Sequence, residues 1–259
     1  MKKTANNYDF LLNPFSIKLL HLFSESTKNF EKRNGYILGG NNYEILSSQE
    51  KYFSNVFRIQ NDISHIFEQL RHIRIYVRRY PLKEYYMNQG ITQLDYIQYH
   101  IEALIHKIHT IQEIMKLLIN EVYKLELLPQ DCSWKNLTKK ISITEEPMTL
   151  ITRYADIFAN IIRVRHLNSH RGYYKDTDKE KIELNYGLTL YKVEQDGYSL
   201  DEEFKKMIPL KYAEYFMKQH KKEKLKLIDE VLMLINDSLK KFLISLESPF
   251  DSKLKEIKA

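Results

Sequence analysis

One short segment of this 259-residue sequence concentrates side chains able to work on a phosphodiester: Arg163, Val164, Arg165, His166, Leu167, Asn168, Ser169, His170, Arg171, Gly172, Tyr173 and Tyr174 in succession. An arginine fork can grip a phosphate and offset the charge of its transition state. A histidine titrating near neutrality can carry a proton to or from the ribose and leaving oxygens. Arg165 and His170 are the pair suited to these roles, with Arg163, His166 and Asn168 in support. On this reading the residue types are the parts of RNA-cleaving chemistry that needs no metal or other cofactor. Five residues span about 500° of helix, so in a continuous helix the two side chains diverge by about 140°. Either the helix loosens around Asn168 and Ser169, or the pair serves a site completed by a second copy of the chain.

A structural reading covers the same residues. Basic residues and histidines fill the last turn of a predicted helix, where they complement its dipole, and Gly172 stands where a C-cap favours a residue tolerant of positive φ. Two other arginine–histidine pairs compete for the role, Arg58 with His65 and Arg163 with His170. The first lies in the middle of a predicted helix. The helix end, the polar residue after Arg165 and the glycine stop favour Arg165 over Arg163.

A second basic group, Arg71, Arg74, Arg78 and Arg79, recurs near helical spacing, interleaved with His72, Tyr76 and Tyr80. Guanidiniums suit phosphates and tyrosine rings suit base stacking, so these arginines, with Tyr173 and Tyr174, are the further candidates for RNA contact. A solvated helix face is the alternative. Residues 58–83 hold six basic and two acidic side chains, which supplies most of the chain's +6.

Other chemistries are struck out by pattern. No G-x-G-x-x-G or Walker-type loop occurs, no Glu-x-x-His or H-E-x-x-H is present, and no His–Asp dyad is legible. His100, His106 and His109 with Glu102 fall on one predicted helix, and His166 and His170 are four apart. A polar helix face explains the former, and the latter have no acidic neighbour in sequence. The single cysteine, Cys132, excludes an internal disulfide and any multi-cysteine metal site, and fits a reducing compartment.

The elements that must position these residues follow from the breakers. Only 7 glycines and 6 prolines occur, a shortage that points to long helices. Four stretches, 41–80, 91–128, 148–171 and 210–248, contain neither and repeat apolar residues at threes and fours. Ser47 with Glu50 predicts a capping box before the first, and Thr144 with Pro147 the start of the third. Four amphipathic helices bury their stripes most cheaply against one another, so the expected fold is an all-α four-helix bundle over residues 47–249. Residues 1–46, with Ile17, Leu19, Leu20, Leu22 and Phe23, are expected to pack on it as an N-terminal extension. An insertion at 173–209 is expected to carry a β-hairpin, from Ile182 and Leu184 alternating with Leu188 and Leu190, and a short helix capped by Ser199 and Glu202. The first residues are not followed by a signal-peptide apolar run and no stretch suits a membrane span, so a cytoplasmic protein with no membrane partner is expected.

With helix end and motif in place, Arg165-x4-His170 resembles the motif of the HEPN superfamily, whose ribonucleases carry Arg-x(4–6)-His. The resemblance implies a helical domain that forms a homodimer, brings two Arg/His pairs into one cleft and cuts RNA without metal. It also implies a role as a toxin or antiviral defence effector, with an antitoxin or an activating partner. Some branches place a tyrosine two residues beyond the histidine, where this chain has Gly172 followed by Tyr173 and Tyr174. Two other readings stand beside it: a non-catalytic helical module that binds RNA or protein, and a metal-binding protein built on the histidines of the second helix.

Overall fold

The computed structural model describes residues 9–28, 30–80, 83–164, 176–195 and 197–257. The protein is all-α, and no β-strand occurs among the described residues. The helices are α1 (Pro14–Thr27), α2 (Ser48–Arg78), α3 (Lys83–Asn88), α4 (Gln93–Val122), α5 (Trp134–Thr138), α6 (Glu146–Ile157), α7 (helical over the described residues 159–164), α8 (Thr177–Leu184), α9 (Leu188–Gln195), α10 (Glu202–Met207), α11 (Leu210–Ser245) and α12 (Glu247–Glu256).

The apolar periodicity is the cause of the three longest helices. Along α4, Ile97, Ile101, Leu104, Ile108, Ile111, Met115, Leu118 and Val122 are all buried. Fully burying such a side chain is worth about 1.5–3 kcal/mol relative to leaving it exposed. At the head of α2 the capping box forms as expected. The Ser47 amide donates to Glu50 Oε2 at 2.9 Å and the Glu50 amide to Ser47 Oγ at 3.3 Å, satisfying groups the first turn would otherwise leave unpaired.

The chain divides into two compact units: Met1–Glu68, Ile108–Ala159 and Met233–Ala259 in the first, and Gln69–Lys107 and Asn160–Leu232 in the second. In the first unit, Asn13 caps α1 by accepting from the Ser16 amide at 3.0 Å, and Pro14 occupies the first turn. Phe15 meets Phe250 edge-on at 5.5 Å, Tyr52 stacks on Phe250 at 5.3 Å, and Phe10 meets Phe67 at 5.0 Å. Two buried hydroxyls reach helix carbonyls: Tyr52 donates to Val122 O at 2.8 Å and Tyr154 to Ile108 O at 2.9 Å. In the second unit, Leu94, Ile182, Leu188 and Ala213 form a buried cluster, with Tyr186 and Phe216 stacked at 3.9 Å beside it.

Three local expectations are corrected. The β-hairpin is absent: residues 177–184 and 188–195 are α8 and α9. Ile182 is buried while Leu184 is 70% exposed, and Leu188 is buried while Leu190 is largely exposed. Residues two apart lie on opposite sides of a helix, so the apolar alternation marked opposite helix faces rather than one strand face. The short helix α10 is capped by Asp201, which accepts from the Glu203 amide at 3.0 Å, not by Ser199. The third stretch is not one helix, because α6 stops at Ile157 and Phe158 leaves helical geometry before α7 resumes.

Between α8 and α9, Gly187 has φ +68°, and a Cβ there would stand 2.9 Å from the ring of Phe204. Gly187→Ala therefore combines left-handed backbone strain with crowding, and a loss of about 1–2 kcal/mol is expected from the strain. Thermal unfolding of the variant beside the parent checks this, and an unchanged midpoint would contradict it.

Candidate functional site

The approach to the Arg/His segment is built by α6 and α7. Pro147 sits in the first turn of α6, and the side chain of Thr144 does not cap it. At the other end, the Phe158 amide donates back to Tyr154 O at 3.1 Å, and the buried Phe158 ring packs on the Tyr154 ring at 4.7 Å. The interruption falls at Phe158, with φ −102° and ψ 12°, a position with neither glycine nor proline. Arg163 is exposed in α7 and Val164 is its last described residue. Arg165, His166, Asn168, His170, Tyr173 and Tyr174 lie outside the described residues. The competing pair Arg58 and His65 is exposed on unbroken α2, about 10 Å apart along the helix axis.

Beyond that segment the described chain resumes at Asp176, which is tied down on both oxygens. Its Oδ1 accepts from the amides of Asp178 and Lys179 at 3.1 and 3.2 Å, capping α8. Its Oδ2 accepts from His220 Nε2 at 3.1 Å and from Lys224 Nζ at 2.8 Å, both on α11. Asp176 and His220 are 4% and 2% exposed. Burial pushes the carboxyl up, but the hydrogen bonds and charges of His220 and Lys224 together outweigh it and hold the group well below the usual carboxylate range. His220 Nδ1 is buried without a hydrogen-bond partner among the described residues. So close a burial makes this cluster a tie between α8 and α11 rather than an acid–base pair open to substrate. It also corrects the expectation that the chain has no His–Asp dyad. The two residues are 44 apart, and the only sequence signal was Asp176 standing before a helix with acidic residues in its first turn.

The basic stripe lies on the last turns of α2. Arg74 is committed to Asp229 of α11, pairing through Nε and through Nη2 to Oδ2 at 3.1 Å. Arg71 is half-buried, whereas Arg78 ends the helix and Arg79 follows it, both exposed and neither in an ion pair among the described residues. Around them runs a chain of rings that the sequence reading saw only in part. Tyr76 faces His100 at 5.2 Å, and His100 meets Tyr96 edge-on at 4.5 Å and Tyr99 at 5.5 Å. Tyr80 stacks on Tyr86 at 5.5 Å and meets Tyr96 at 5.3 Å, and Tyr85 touches Tyr86 at 5.8 Å. The Tyr80 hydroxyl donates to Ile91 O at 2.7 Å, fastening the α2–α4 connection. Burial lowers the His100 pKa and raises those of Tyr80 and Tyr96.

The histidines of α4 have separate surroundings. His100 sits among tyrosines, His106 is exposed, and His109 Nε2 lies 3.4 Å from Glu113, which also binds Lys116 at 2.6 Å. Among the described residues no three His, Cys, Asp or Glu side chains are grouped to hold a metal ion. Cys132 is buried and donates to Lys116 O at 3.3 Å, and burial pushes its thiol up to about 11, which suits a packing role. No helix of the described chain is long and apolar enough to cross a membrane.

An all-α chain carrying an arginine/histidine-rich segment is the class of protein defined so far. A family model described as Cthe2314-like HEPN matches residues 48–240, well over half of the chain and including the whole Arg165–His170 segment, and the protein belongs to that family. Its members are generally ribonuclease-type or nucleotide-related, and HEPN domains often bind RNA and dimerise. Comparison with curated proteins and with solved structures gives no match.

Proposed function

We propose that the protein is a metal-independent endoribonuclease whose catalytic pair is Arg165 and His170. The observation that carries this reading is the family match, which contains Arg165-x4-His170 intact within residues 48–240. The ribose 2′-hydroxyl attacks the adjacent phosphorus while its proton passes to a base, and the 5′-oxygen leaves as it takes up a proton. His170 is the principal acid/base, and Arg165 holds the phosphoryl oxygens as their charge grows. The products are a 2′,3′-cyclic phosphate and a 5′-hydroxyl. Arg163, His166 and Asn168 orient the motif or the RNA.

A homodimer that brings two such pairs into one cleft resolves the divergence of about 140° that a continuous helix would impose. The catalytic domain spans 47–249, with residues 173–209 inserted and residues 1–46 packed on it. The reading extends to a cytoplasmic toxin or defence effector restrained by an antitoxin or released by an activating partner.

The chemistry is tested with an RNA carrying a single 2′-deoxy nucleotide at the cleaved position. Cleavage there should be abolished because the nucleophile is gone, and cleavage at other sites that keep their 2′-hydroxyl should be unaffected. Continued cleavage at the deoxy position would mean that water, not the 2′-hydroxyl, attacks, and the mechanism would fall.

A further inference from the structure

Three features stand outside the motif: the buried Asp176–His220–Lys224 tie, the histidines of α4, and the ring cluster formed where α2, α3 and the start of α4 meet. The first is closed to ligands and the second is not grouped to hold a metal ion among the described residues, but the third is open. Tyr76 is 45%, Tyr85 60% and Tyr99 70% exposed, although all three are joined through ring contacts to half-buried Tyr86 or His100. Rings held by neighbouring rings and otherwise exposed lose little freedom on binding a further flat group. The same helix end carries Arg79, one turn beyond Tyr76 with its amide donating to Tyr76 O at 3.1 Å, and Arg78 on the adjoining face, both exposed and not in ion pairs among the described residues. The nearby carboxylate Asp95 is occupied by Lys179 at 2.6 Å and by the Thr92 amide at 2.9 Å.

Exposed tyrosine rings near a helix end that carries two uncommitted guanidiniums match a chain of alternating bases and phosphates. We propose that Tyr76, Tyr85 and Tyr99, with Arg78 and Arg79, form a platform that binds single-stranded RNA by base stacking. The inference rests on the ribonuclease reading for its purpose, delivering substrate, but its binding chemistry is independent of cleavage. Stacking requires unpaired bases, so the platform selects single strands over duplex. A protein partner would use the same apolar exposure but has no need of the two arginines, and the salt response separates the two.

The test uses the full chain with His170→Ala, so that RNA stays intact, and a fluorescein-labelled oligoadenylate read by anisotropy. Tyr76→Ala, Tyr85→Ala and Tyr99→Ala should each weaken binding roughly five- to hundredfold, while the corresponding phenylalanine variants bind like the parent because the ring, not the hydroxyl, stacks. Arg78→Ala with Arg79→Ala should flatten the salt dependence of log K by about 1.4. The same strand annealed to oligouridylate should bind less tightly. Equal binding of single strand and duplex, alanine variants that bind like the parent, or no RNA binding at all would overturn the platform. With His170 restored, the tyrosine variants should raise KM and leave kcat unchanged. If the parent cuts RNA and these variants match it in both binding and KM, the platform fails and the ribonuclease reading stands. If the platform binds as described but the parent does not cut, the reverse holds.

Discussion

His170→Ala should lower RNA cleavage by about 10²–10⁴-fold while leaving RNA binding nearly unchanged. The magnitude follows from the loss of a positioned acid/base that acts in the transition state more than in the bound ground state. Arg165→Ala should also cripple turnover. Arg165→Lys should recover only part of it, since an ammonium restores charge without the planar fork that engages two phosphoryl oxygens. Mixing the Arg165→Ala and His170→Ala proteins offers a further reading. If one site draws its arginine and histidine from different chains, the mixed dimer contains one intact site and regains activity. If each chain supplies its own pair, it does not. Steady-state cleavage of one labelled RNA measures all of these, and a His170→Ala protein that cuts at the parent's rate would remove the histidine from the mechanism.

Asp176→Asn should be the most damaging single change to stability, costing about 3–5 kcal/mol, because it removes the counter-charge from a buried ion cluster. The carboxylate meets His220 at 3.1 Å and Lys224 at 2.8 Å and is 4% exposed, so little water is available to replace it. The amide oxygen of asparagine can still cap α8, so the loss reports the charge rather than the cap. The pH dependence has a definite sign. The folded-state pKa of Asp176 is depressed, so its contribution is fully present above the unfolded value near 3.9 and is lost as pH falls below that value through the folded one. Urea unfolding midpoints of parent and Asp176→Asn should therefore differ most at neutral pH and converge at pH values well below about 4. Equal midpoints at neutral pH would show that the cluster does not hold α8 to α11.

What was legible in the sequence is what local periodicity and local chemistry determine. The stripe from Ile97 to Val122 is buried residue for residue because a helix face is specified by spacing alone. The Ser47–Glu50 box forms because both partners lie within one turn. The errors fall where tertiary neighbours decide. Ile182 and Leu184 read as alternation, yet Asp176 caps a helix there and only Ile182 finds the buried cluster around Leu94 and Ala213. The third stretch is interrupted at Phe158, a buried residue that no glycine or proline announces. Arg74 looked available beside Arg78, but Asp229, 155 positions away, takes its guanidinium. For the same reason the tyrosines of α3 and α4 could not be joined to those of α2 by spacing. Arg165-x4-His170 can be read from sequence because a motif is defined by residue type and a short interval, and its roles are those proposed above.

The central claim is tested most directly by incubating a labelled single-stranded RNA in excess EDTA with the parent, Arg165→Ala and His170→Ala proteins, all three shown to be folded. The account predicts cleavage by the parent alone, leaving a 2′,3′-cyclic phosphate. Cleavage that disappears from the parent in EDTA, or that persists in both variants, would contradict it.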